Sequence, residues 1–216
     1  VHCGYPPVWF YLTALVKWLF RIPPGCEEPY YIFHFLVQIL SAFLLYKMIR
    51  SMEIDGKIAF FCSWLFVMMG HWMQANYLIL ETLTIAFGLL SLWIVMEHGK
   101  GGAWLLFVGG VAASCSFLCK QYGLGYLFLC ILLMLFYSKS GLKRIAMFLL
   151  GFFVPVLLCM AIWGKPFVNN VFLNGYGSSI DETNGLMLHD KMHWIVSAAK
   201  MLFFRCAIAL PVSLLF

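Results

Sequence analysis

The sequence predicts an all-α, polytopic transmembrane protein, and two observations carry that prediction. The first is composition. Of 216 residues, 63% are apolar, 18% aromatic and only 11% charged, and the mean hydropathy is +0.92. A soluble domain is about 45–50% apolar and about 25% charged, so this chain has too little charge to cover itself against water. A soluble globular enzyme is excluded, and so is a disordered chain, which would be poor in these apolar residues. The second observation is the recurrence of apolar runs close to the roughly 20 residues that cross a bilayer, with short polar breaks between them.

Taken in order, residues 1–30 read as an outer interfacial segment. Within it, residues 8–20 are helical in character but short for a span, and Trp9, Tyr11 and Trp18 suit a helix lying among lipid headgroups. Pro23-Pro24-Gly25 and Glu27-Glu28-Pro29 then break the chain. Residues 31–163 hold the transmembrane helices, expected at 31–50, 58–74, 77–96, 103–119, 122–138 and 145–163. Residues 164–193 form a polar outer loop, and 194–216 begin a further transmembrane helix. Val1 in place of Met, and an apolar run still in progress at Phe216, mark the chain as an expected fragment of a longer protein. No tandem repeat is present.

The net charge of +5 arises from 14 basic and 9 acidic residues. Alternating the spans puts Lys47, Arg50, Lys57, Lys100, Lys139, Lys143 and Arg144 on one side, in short loops, and Lys17, Arg21, Lys120, Lys165 and Lys191 on the other. The first side is expected to be cytoplasmic. No basic run forms a stripe, so nothing points to nucleic acid. Of eight cysteines, Cys62, Cys115, Cys119, Cys130, Cys159 and Cys206 lie inside apolar runs and read as small hydrophobes. Cys3 and Cys26 are the only pair outside the later helices.

The polar chemistry then gathers on the outer side. Lys120 breaks two apolar runs with almost no loop around it. It is either an anchor snorkelling from a tight hairpin or a cation placed to meet a lipid phosphate. Glu81 lies early in its helix, where the macrodipole favours a carboxylate; it equally suits the polar wall of a substrate cavity. His71, Gln74 and Asn76 come just before it, flanked by Trp72 and Tyr77, and amides beside aromatics suit either sugars or an interfacial belt. His189 and His193 are four apart, but a solvated loop collects such residues, and no metal is assigned to them. There is no Walker loop, dinucleotide glycine pattern, nucleophile elbow or HExxH.

Three features in this order carry a family resemblance: Gly4-Tyr5-Pro6-Pro7-Val8-Trp9-Phe10-Tyr11 before an interfacial helix, Asn76-Tyr77-Leu78-Ile79-Leu80-Glu81, and a Gly-rich run leading into Lys120-Gln121-Tyr122-Gly123-Leu124. Over residues 4–165 the chain resembles the integral-membrane GT-C glycosyltransferases, in the bacterial branch similar to protein mannosyltransferases and lipid A aminoarabinose transferases. The resemblance implies transfer of a sugar from a polyprenyl-phosphate carrier to a lipid, glycan or protein acceptor on the periplasmic face of a bacterial inner membrane. It implies that Lys120 holds the carrier phosphate. Glu81, Tyr5, Pro6, Pro7, His71, Asn76 and Gln121 would line the substrate cavity. The family's catalytic acidic residue would fall upstream of Val1, since Glu27 and Glu28 do not match its position. No cofactor is expected, and nothing supports a divalent metal. The alternative is a secondary transporter or lipid-linked sugar flippase, with Glu81 and Lys120 as a charge pair on a substrate path.

Overall fold

The computed structural model describes residues 8–23, 28–74, 80–99, 102–137, 141–168 and 171. The chain divides into two compact units, Val1–Tyr176 and Gly177–Phe216, and all the described residues belong to the first. Every element among them is helical. These are α1 (Val8–Leu19), α2 (Glu28–Ser51), α3 (Gly56–Gln74), α4 (Leu80–His98), α5 (Ala103–Cys119), α6 (Leu124–Leu132) and α7 (Leu142–Val168). A 3₁₀ turn at Gln121–Gly123 leads into α6, and a wider π-helical turn at Leu133–Tyr137 continues it.

Composition and length make two of these helices able to cross a bilayer, Pro29–Ser51 within α2 and the whole of α7. Only 22% and 28% of their most apolar stretches are buried, where the core helix of a soluble domain is mostly buried. Ile32, Phe35, Leu36, Ile39 and Leu40 on α2, and Phe153, Leu157, Leu158 and Ile162 on α7, all face outward. Surface of that kind matches an apolar solvent rather than water.

α5 is the hub. It packs most extensively against α7 and α4, while α2 bridges α4 and α3. The α5–α7 contact is a backbone-to-backbone approach made possible by missing side chains. A Cβ on Gly110 would collide with the Phe148 carbonyl, and one on Gly151 with the Phe107 carbonyl. Where the surroundings are as apolar as the helices themselves, burial gives little drive to associate, and such small-residue contacts supply van der Waals packing instead. Phe148, Leu106, Leu118 and Met134 fill the core around this crossing and are completely buried. Cys119 and Cys130 are buried there as free thiols, and Cys62, Cys115 and Cys159 are also unpaired.

α1 is short and largely exposed; Val16 on it and Ile22 just after it are buried. It ends in a Schellman turn, in which Ile22 N–H reaches Lys17 O at 3.1 Å and Arg21 takes the left-handed position at φ 49°. The Tyr11 ring packs against Trp163 of α7, tilted, with centroids 5.6 Å apart.

The helices fall where the six spans were expected, with shifted ends, and among the described residues α2 and α7 are the two long and apolar enough to cross a bilayer. α7 departs most, running past residue 163 to Val168 through a sharp break at Gly164 (φ 54°, ψ −134°). Beyond the break, Phe167 and Val171 turn back into the core, so the start of the expected 164–193 loop is folded against the bundle. The rest of that loop, the 194–216 helix and residues 1–7 lie outside the described residues.

Candidate ion-pair site at one end of the bundle

The polar end of the bundle is built from α5 outward. Ser116 and Lys120 are one helical turn apart at the end of α5, and Glu81 and Thr84 are one turn apart at the start of α4. The two pairs face each other as two rungs. On the inner rung the buried Ser116 hydroxyl donates to the Thr84 carbonyl at 2.7 Å. On the outer rung Lys120 Nζ donates to Glu81 Oε1 as an ion pair. Its side chains are 20% and 27% exposed, so the pair is sheltered yet reachable.

The backbone explains why Lys120 points there. α5 stops at Cys119, and Lys120 is extended (φ −154°, ψ 141°). Its N–H still bonds Ser116 O at 3.2 Å, and its carbonyl accepts from Gly123 N–H at 2.8 Å. Both main-chain groups are satisfied while the side chain leaves the helix axis. Gly123 lets the reversal close so tightly, because a Cβ there would strike the backbone of Ser116. The next two residues spread the turn's contacts. Gln121 Nε2 donates to Val171 O at 3.2 Å, beyond the α7 break. The exposed Tyr122 ring lies 5.0 Å from Lys120 Nζ, within cation–π range.

Of the residues singled out in the sequence, Glu81, Lys120 and Gln121 come together here. His71 lies in the last turn of α3, with its side chain outside the described set. Tyr5, Pro6, Pro7 and Asn76 lie outside the described residues altogether. Sequence reasoning overlooked Ser116, Thr84 and Tyr122. Ser116 and Lys120 at i,i+4 gave a signal, but serine in a Gly- and Ala-rich helix reads as a mere small residue. It also passed over His34, which is buried on α2 with neither ring nitrogen partnered among the described residues. One turn along, Gln38 crosses to the Val67 carbonyl of α3 at 3.0 Å. Among the described residues no cluster of three or more His, Cys, Asp or Glu could hold a metal.

No protein-family model, curated protein or solved structure matches the chain.

Proposed function

We propose that the chain belongs to a polytopic GT-C-like glycosyltransferase of a bacterial inner membrane. In this proposal it moves a sugar from a polyprenyl-phosphate carrier to a lipid, glycan or protein acceptor at the periplasmic face. The observation that carries the proposal is Lys120, a cation held beside Glu81 at one end of a mostly apolar bundle, half-buried and reachable. A carrier lipid can keep its tail among the outward apolar faces of the helices while its phosphate meets that ammonium. In the transfer, the acceptor oxygen bonds to the anomeric carbon as the bond from that carbon to the phosphate oxygen breaks. The phosphate leaves with the electron pair, and the acceptor's proton passes to a carboxylate base. A fixed cation favours this step by stabilising the charge that grows on the leaving phosphate.

A transporter predicts polar residues continuing from the ion pair toward the opposite end. Among the described residues the buried polar groups are serine and threonine hydroxyls (Ser41, Ser63, Thr84, Ser91, Ser114, Ser116) and His34.

The test is native mass spectrometry of the full-length protein in mild detergent, wild type against Lys120→Ala. Polyprenyl phosphate bound to the wild type and depleted in the variant is the expected result. Equal lipid content in both, with ordinary phospholipid alone, would return Lys120 to the role of a membrane anchor and overturn the proposal.

A further inference from the structure

We infer that Glu81 is a built-in competitor for the anion that Lys120 binds, so that an entering phosphate must displace the carboxylate; this rests on Lys120 being the carrier-phosphate site. Four features of the site lead there. The Glu81 carboxylate occupies Lys120 Nζ, so a phosphate and the carboxylate cannot both take the same face of the ammonium. Glu81 sits in the first turn of α4, where the helix dipole stabilises its charge with or without Lys120. The carboxylate can therefore be released without being left uncompensated.

Lys120 Nζ in turn keeps a second contact, the Tyr122 ring at 5.0 Å, that does not depend on the carboxylate. Its main chain is held on both sides by Ser116 and Gly123. Exchange thus needs only side-chain rotation, with no movement of α4 or α5. The last feature is the strength of the pair. Both groups keep access to solvent, and pairs of this kind contribute modestly. The carrier phosphate freed of its sugar is a monoester with up to two charges and three acceptor oxygens, and can outcompete a single carboxylate. The sugar-loaded carrier is a diester with one charge and meets the carboxylate on equal terms. When no carrier is present, Glu81 keeps a bare ammonium from standing alone beside lipid, a situation that is costly.

Substitution of Glu81 should then tighten anion binding, the reverse of what loss of a ligand-contacting residue does. The test measures binding of farnesyl phosphate and, separately, of inorganic phosphate to the purified full-length protein. The variants are Glu81→Gln, Glu81→Asp and Lys120→Ala. Glu81→Gln is expected to bind farnesyl phosphate about fivefold more tightly than wild type. Glu81→Asp, whose shorter side chain withdraws the carboxylate from Nζ, should shift the same way by less, and it serves as the readout if Glu81→Gln does not fold. Lys120→Ala should abolish the binding.

Unchanged or weaker binding in both Glu81 variants, with binding still lost in Lys120→Ala, overturns the competition and leaves the phosphate site standing. Full binding in Lys120→Ala overturns the site itself. Inorganic phosphate bound as tightly as farnesyl phosphate would assign the site to free phosphate and overturn the lipid-linked ligand, while the competition would still be read from the Glu81 variants.

Discussion

α5 makes two kinds of contact, one on each side. Toward α7 it offers Gly110, which brings two backbones together with nothing between them. Toward α4 it offers Ser116 and then Lys120, a hydroxyl and an ammonium reaching across to Thr84 and Glu81. The backbone contact has no alternative geometry, because carbonyls in neighbouring helices cannot step aside. The ion pair has several, since the carboxylate can rotate away and leave the ammonium to Tyr122, water or a ligand. One helix thus combines a fixed bearing with an exchangeable latch, and the bearing keeps the latch in place when its partner changes.

The largest expected effect comes from spoiling the bearing. Gly110→Ala or Gly151→Ala should each destabilise the bundle by about 2–3 kcal/mol through overpacking, read as an earlier midpoint in detergent-denaturant unfolding. A loss under about 0.5 kcal/mol would mean that the crossing relaxes easily and that the contrast is overdrawn. The latch should cost less. A double-mutant cycle of Glu81→Gln and Lys120→Gln, followed by the same unfolding measurement, should give a coupling of about 1 kcal/mol. Coupling near that of the glycine contact would show a rigid pair and argue against exchange. Smallest is the inner rung. Ser116→Ala should cost about 0.6 kcal/mol, typical of a hydroxyl bond between helices in an apolar setting, while farnesyl phosphate affinity stays within twofold. A larger fall in affinity would make Ser116 part of the latch rather than its support.

Much of this architecture was legible because the signals were local. Apolar runs gave the helices, and the break at Lys120-Gln121 marked the reversal at the end of α5. Glu81 and Lys120 stood out as charges in apolar company. Their pairing across 39 positions was readable only as one option, since both an anchor and a site predict the same residues. The Ser116–Thr84 rung was hidden because it uses a main-chain carbonyl, which every residue possesses. Gly164-Lys165-Pro166 signalled an end to α7, but the return of Phe167 and Val171 into the core depends on a left-handed glycine torsion that no residue pattern specifies. His34 looked like one more member of an aromatic run, and only its burial separates it from Phe33 and Phe35.

The break at Gly164 also acts as a ruler. The helical run of α7 from Leu142 to Trp163, with Pro155 inside it, is about 33 Å long at 1.5 Å per residue, close to the roughly 30 Å hydrocarbon thickness of a bilayer. Unbroken to Val168, the rod would be about 40 Å and would have to tilt or thicken the surrounding lipid. Gly164 ends the rod at about the length that a bilayer's hydrocarbon asks of a spanning helix, so the conformation of a single glycine sets the thickness of bilayer that α7 would cross without tilting.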